Sequence, residues 1–242
     1  MTGIRLVVFV AVGLLAACQA APRQHAGTNI NGAHLGIAQA AEESGDYGMA
    51  QSILARASAD FPADASVQLR YAEILIKQRN IKQARDVLLQ HMKTVTDPQM
   101  LHGTLGAIYV LQGEPAAALA EFDATKSDEP RWITNKAVAL DMLGRHDDAQ
   151  VLYRRLLATN PDDVVVITDL ALSLMLAGRT TEAVQIAAPL TERTDLAPRI
   201  QSSLGIVLAS NGDFKGAQRT AGTTVSDRQM LRIADAVKSI SR

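Results

Sequence analysis

The chain has 242 residues, of which 48% are hydrophobic, 4% are aromatic and 20% are charged. Its formal net charge of −1 is too close to neutral for a nucleic-acid-binding protein, so we exclude that class. The single cysteine, Cys18, excludes an internal disulfide, so the fold must be stable without one.

The N-terminal segment has the plan of a bacterial secretory signal. One cation, Arg5, precedes an apolar run over residues 6–15, which is shorter than the roughly 20 residues of a membrane-spanning helix. Residues 15–18 read LAAC, which resembles the lipobox of bacterial lipoproteins. This resemblance implies cleavage before Cys18 and a covalent lipid on its thiol. The alternative is an ordinary signal peptide with an incidental cysteine.

Two further expectations follow from this segment. Gln19 stands where, by family analogy, Asp retains lipoproteins in the inner membrane, so the sequence favours the outer membrane. Residues 1–17 are predicted to be a signal peptide. Residues 18–31 are small and polar without a periodic apolar face, and they are predicted to be a lipidated, flexible tether.

The remaining chain repeats one pattern six times. A small residue is followed seven positions later by a turn residue, and an alanine stands five positions after that. Successive copies are 34 residues apart, except for a step of 31 between the third and fourth. The small residues are Ala38, Ala72, Gly106, Ala137, Ala171 and Gly205. The turn residues are Gly45, Arg79, Gly113, Gly144, Gly178 and Gly212. The alanines are Ala50, Ala84, Ala118, Ala149, Ala183 and Ala217.

A 34-residue period of paired helices is typical of the tetratricopeptide repeat (TPR) family. Small residues allow two helices to approach closely, and a glycine after the first helix supplies the left-handed conformation that ends it. At the second turn either Arg79 takes that conformation or Asn80 supplies it instead. The pattern predicts an all-α fold: a right-handed α-solenoid of about six TPR helical hairpins over residues 32–225, followed by a C-terminal helix over 226–242.

Several elements can be placed in chain order. The first repeat is predicted to form helices over 33–43 and 47–60. Residues 164–167 are β-branched, but the repeat register predicts the start of a helix there. Pro189 is expected to bend or end the second helix of the fifth repeat. The last helix, about 227–240, is interpreted as a cap on the stack, with partner docking as the alternative.

The sequence shows no pattern for catalysis or metal binding. The five histidines lack zinc-ligand spacing and are expected to be isolated surface residues. The acidic pairs at 147–148 and 162–163 lie near predicted helix N-termini, where negative charge is favourable, so they are interpreted as caps. There is no GxSxG motif and no phosphate-binding glycine loop. We therefore predict that the protein is not an enzyme and has no metal, and that its only bound group is the covalent lipid on Cys18.

A TPR stack acts through its surface, and in this family the first helices line the concave side. The family's inward positions, carried over to this chain, include Asp141 and predict an apolar, Met-containing face suited to an amphipathic helix or an extended apolar segment. The alternative for several of these residues is packing against neighbouring repeats. The predicted partner-binding residues are Leu69, Glu73, Ile76, Lys77, Val110, Leu111, Val138, Met142, Leu172, Met175 and Leu176.

The combination of lipobox, tether and six repeats resembles the TadD-like lipoproteins of the Tad (Flp-type) pilus assembly system. The runs over 137–163 and 195–218 carry the resemblance most specifically. It implies an assembly or pilotin-like role at the periplasmic face of the outer membrane. The partners would be the secretin or other Tad components, with the lipid bilayer holding the N-terminal anchor. The alternative is a periplasmic TPR lipoprotein that scaffolds peptidoglycan or outer-membrane protein assembly machinery.

Overall fold

A computed structural model describes residues 24–222, with side chains from residue 32 onward. Every regular element in this range is helical, which confirms the predicted all-α fold. The α-helices are α1 (Gln24–Glu43), α2 (Tyr47–Asp60), α3 (Ala65–Lys77), α4 (Ile81–His91), α5 (Gln99–Gln112), α6 (Pro115–Ala124), α7 (Pro130–Met142), α8 (His146–Thr159), α9 (Val164–Leu176), α10 (Thr180–Ala187), α11 (Pro198–Ser210) and α12 (Phe214–Ala221).

These helices form six successive hairpins, from α1/α2 to α11/α12. The first helix of each hairpin packs against the first helix of the next hairpin. The second helix of each hairpin also packs against the first helix of the next one. This arrangement is the predicted α-solenoid, in which each hairpin buries its apolar side against the adjacent ones. The row of first helices therefore forms one continuous face, which we call the first-helix face.

Small side chains occupy the centre of every hairpin. The four alanines among the predicted small residues and all six alanines of the second helices are fully buried. Gly106 and Gly205 are buried as well. A Cβ built on Gly106 would lie 2.6 Å from the ring of Phe122, so a larger residue would have to displace that ring.

The turns lie where the sequence places them. Five of the six turn residues are glycines with positive φ, between 72° and 89°. Arg79 is itself left-handed, with a φ of 64°, whereas the φ of Asn80 is −83°. The first of the two alternatives for this turn is therefore confirmed.

Other local features follow from the residues present. Helix α9 begins at Val164, so the β-branched run over 164–167 is helical as predicted. Helix α10 ends at Ala187, and Pro189 lies in the 3-10 turn Ala188–Leu190 that follows it. Asp163 caps α9 by accepting from the backbone N–H groups of Val165 and Val166, at 3.0 and 3.1 Å.

The first helix differs from the expectation. It begins at Gln24, inside the range 18–31 predicted as a tether, because no proline lies between Gln24 and Glu43 to interrupt it. The remainder of the predicted tether, the signal peptide with Cys18, and the predicted C-terminal helix lie outside the described residues.

The expectation for the histidines is wrong at three positions. His91 is only 7% exposed, and its Nδ1 lies 3.1 Å from the carbonyl oxygen of Pro62. His102 and His146 are half-buried, each with Nδ1 beside a carboxylate, on Glu121 and Asp141. In each case the carboxylate lies on the other helix of the hairpin, so the sequence around the histidine does not reveal the contact.

Replacing Arg79 with glycine should stabilise the protein. A left-handed conformation costs a non-glycine residue about 1 kcal/mol, and the exposed Arg79 side chain has no recorded hydrogen bond or ion pair in the described part of the chain. We expect Arg79→Gly to raise the urea midpoint, measured by circular dichroism. Arg79→Lys is the matched control, because it keeps the strain. An unchanged midpoint for the glycine variant would contradict this account of the turn.

Candidate partner-binding surface

Two of the eleven predicted binding residues lie in the core. Leu69 on α3 and Met175 on α9 are 6% and 5% exposed. Their helices pack against neighbouring helices on several sides, and Met175 belongs to the hydrophobic cluster that joins the last three hairpins. These two side chains are therefore buried by the neighbouring repeats and are not accessible to a partner, as the sequence-based alternative allowed.

The two charged predicted residues of the second repeat belong to an ion-pair network. Glu73 accepts a hydrogen bond from Arg70 at 3.0 Å, and Arg70 also donates to Glu42 on α1 at 2.7 Å. Lys77 is paired with the same Glu42 carboxylate, which is 9% exposed. Ile76 packs against the N-terminal core. Charge pairing therefore dominates this end of the first-helix face.

The third repeat contributes exposed apolar surface. Leu111 is 61% exposed, and Val110 is half-buried against a cluster around Phe122 and Trp132. The structure does not place either residue with the lining residues of the groove between α7 and α9.

Four of the five predicted residues of the fourth and fifth repeats converge on one groove. Val138 and Met142 on α7 face Leu172 and Leu176 on α9, and the cavity between the helices measures about 240 Å³. Met142 is 44% exposed at its edge. We call this cavity the α7–α9 groove; its lining residues are Val138, Asp141, Met142, Tyr153, Asp169, Leu172, Ser173 and Leu176.

Asp141 is the polar centre of the groove. Its Oδ1 accepts a hydrogen bond from the Ser173 hydroxyl at 2.6 Å and lies 2.8 Å from Nδ1 of His146. Its Oδ2 accepts from the Tyr153 hydroxyl at 3.1 Å. Burial and the neighbouring carboxylates raise the pKa of Tyr153 well above its ordinary value, so this hydroxyl remains a donor. Asp141 therefore has partners on both oxygens and links α7, α8 and α9.

Asp169 is a second carboxylate in the groove, and it is much less well compensated. Its pKa is raised from 3.8 to about 6, mainly by burial; Arg199 lowers the pKa, and Asp141 and Asp163 contribute to the rise. Among residues 24–222 the structure records no hydrogen bond or ion pair of Asp169. A partly buried carboxylate with a perturbed pKa in a cleft is a feature of functional sites.

The sequence-based prediction missed Asp169. It is the only charged residue of α9, whose sequence is otherwise VVVIT before it and LALSLML after it. An acid in an apolar helix was the available signal. The repeat register, which selects inward positions one at a time, does not show that Asp169 faces Asp141 and Val138 on the preceding repeat.

The groove is smaller than a typical small-molecule pocket. Pockets for cofactors and other small molecules usually measure about 300–1,000 Å³, whereas this one measures about 240 Å³.

Within residues 24–222 there is no cluster of three potential metal ligands. None of the helices in that range has the length and hydrophobicity needed to cross a bilayer.

Ser58 and His91 lie close together between the first two repeats, but their hydrogen bonds stabilise the fold and do not form a catalytic pair. Oγ of Ser58 is 3.5 Å from Nε2 of His91, and this hydroxyl donates to Oε1 of Gln68 at 2.5 Å. Gln68 is fully buried and donates in turn to the carbonyl oxygen of Phe61. The group satisfies buried polar atoms between the first two repeats.

Asp169→Asn should stabilise the protein at neutral pH. Because the folded-state pKa is about 6 and the unfolded-state value is near 3.8, the native protein loses stability as the pH rises from about 4 to 6, and the deficit is complete above that range. We expect the variant to gain about 1–3 kcal/mol at pH 7.5 and nothing at pH 3.5, measured by urea unfolding. Asp162→Asn, at an exposed position, is the control. An equal gain in stability of Asp169→Asn at both pH values would contradict the raised pKa of Asp169.

Comparisons with known proteins agree with this architecture. Two family models described as tetratricopeptide repeat match this chain, one over residues 41–102 and 142–207 and the other over 99–124. The uncharacterised protein y4yS of Sinorhizobium fredii (strain NBRC 101917 / NGR234) is 39% identical over 101 residues, which is 40% of this chain and 53% of that protein. The chain thus spans about half the length of this curated relative.

Solved structures share the fold at low sequence identity. PilW, described as a widely conserved type IV pilus biogenesis factor, superposes with a TM-score of 0.72 at 19% identity over 84% of this chain and 98% of that one. Pseudomonas aeruginosa pilF gives 0.66 at 15% identity over 88% and 99%. MamA gives 0.56 at 16% over 70% and 98%. The repeat geometry and the family match over more than half of the sequence show that this chain belongs to the tetratricopeptide repeat family.

Proposed function

We propose that this chain is a scaffold lipoprotein of a Tad (Flp-type) pilus assembly machinery. A lipid on Cys18 would hold it at the periplasmic face of the outer membrane, and the α7–α9 groove would bind a segment of the secretin or of another assembly component. The observation that carries the binding part is the convergence of Val138, Met142, Leu172 and Leu176 on one groove of the first-helix face.

Three lines of support come from the family, the fold and the sequence. TPR arrays are protein-interaction modules whose stacked repeats present extended binding surfaces. Two solved structures with the same fold bear names that refer to pilus proteins. The runs over 137–163 and 195–218 resemble Tad lipoproteins, and the first of them contributes α7, one wall of the groove.

The groove has the physical properties of a protein-binding site. Its walls are mainly aliphatic, so a partner side chain that enters it removes apolar surface from water, at about 25 cal/mol per Å². The unbranched side chain of Met142 can adapt to the shape of the partner. A peptide inserted between α7 and α9 would thus contact two successive repeats.

Charge introduced into the groove should weaken partner binding. We expect Met142→Glu and Leu172→Glu each to weaken binding of the purified secretin by about tenfold or more, because a carboxylate would be buried beside Asp141 and Asp169. The measurement is biolayer interferometry with immobilised full-length protein. Val151→Glu is the matched control, since Val151 is 64% exposed on α8, outside the groove. Equal secretin binding by all three variants would exclude the groove as the secretin site.

The lipid anchor has its own test. Cys18→Ser should release the protein from the outer membrane into the soluble periplasmic fraction, because the lipidated thiol is lost. Gln19→Asp provides a comparison that keeps the anchor, and it should move the protein to the inner membrane. The measurement is sucrose-gradient fractionation followed by immunoblotting. Retention of the Cys18→Ser variant in the outer-membrane fraction would rule out lipid anchoring.

A further inference from the structure

The two carboxylates of the α7–α9 groove differ in how their charge is compensated. Asp141 has the hydroxyls of Tyr153 and Ser173 and the imidazole of His146 around it. Asp169 has no recorded hydrogen bond within the described residues, although it lines the same cavity. The groove therefore contains one satisfied carboxylate and one without a close partner.

A compensating charge comes from Arg199 on α11. Its field acts on Asp169, but the two residues form no ion pair within 4.0 Å in the described structure. The remaining surroundings of Asp169 in the groove are largely aliphatic, from Val138, Leu172 and Leu176. A carboxylate in such surroundings has less hydration and hydrogen bonding than its ionised form has in water.

A segment bound in the groove would make the negative charge of Asp169 still less well compensated, unless the segment supplied a cation. A purely apolar segment would remove the water that still reaches Asp169 and leave a buried charge without a partner, which is strongly unfavourable. An acidic segment would add repulsion from both carboxylates. A lysine or arginine would instead form a charge-assisted hydrogen bond with Asp169, while its aliphatic stem packs against the groove walls.

We infer that the segment bound by the α7–α9 groove carries a lysine or arginine between apolar residues, and that its charged group contacts the Asp169 carboxylate. This inference rests on the proposed function only in requiring that the groove holds a protein segment. Apolar flanking residues occupy the sites beside Met142 and Leu172. The cation occupies the space at Asp169, and Asp141 contributes negative potential without giving up its own partners.

The test uses peptides selected from a random phage-displayed library against the full-length protein in detergent. Selected peptides are synthesised in pairs, one with the basic residue and one with norleucine in its place, and their dissociation constants are measured by fluorescence anisotropy. We expect Asp169→Asn to weaken the basic peptide by about tenfold or more and the norleucine peptide by less than about twofold. Asp162→Asn, an exposed acid outside the groove, should change neither.

Two results would overturn the inference, and they are distinguishable. If peptides lose affinity for the uncharged groove variants Met142→Gln and Leu172→Asn but contain no basic residue, or bind Asp169→Asn as well as the original protein, the groove binds segments of another chemistry and the proposed function stands. If the peptides bind Met142→Gln and Leu172→Asn unchanged, the groove is not a docking site, and the binding part of the proposed function fails with the inference. Melting curves of all variants confirm that each is folded.

Discussion

The close approach of two helices in each hairpin is the contact on which the rest of this structure depends. Each approach is possible because both helices present alanine or glycine at their centres, where larger side chains would hold the axes apart. Ten of these positions are fully buried alanines, and Phe122 lies directly against Gly106. Because every hairpin has the same internal spacing, successive hairpins stack in one direction, and their first helices form a continuous face.

The candidate site arises from that stacking, since no single repeat contains it. Helix α7 provides Val138, Asp141 and Met142, and α9 of the next repeat provides Asp169 and Leu172. The hydrogen bonds of Asp141 reach both α8 and α9, so the polar centre also joins two repeats. Because its pKa is raised, ionised Asp169 is expected to lower stability at neutral pH. Such a residue is expected where function constrains the sequence more strongly than folding does.

The sequence predicts the hairpins well because their determinants are local. A glycine at a turn or an alanine at a helix centre has the same meaning in every copy, so six repeats support one another; even Arg79 takes the left-handed conformation of its equivalents. Burial by a neighbouring repeat is not local. The register indicates the direction of Leu69 and Met175 but not the helices that cover them. For the same reason the sequence does not predict which residues surround Asp169. It also does not predict the partners of His91, which lie about 30 residues away in the chain.

The bond between Ser173 and Asp141 has a consequence for the energetics of recognition. At 2.6 Å it ties α9 to α7 across the floor of the groove, beside the bonds from Tyr153 and His146. The spacing of the two walls is therefore set while the groove is empty. A ligand that meets a preorganised surface loses less conformational entropy on the receptor side. A short peptide, with few contacts of its own, can then bind without first having to bring two repeats together.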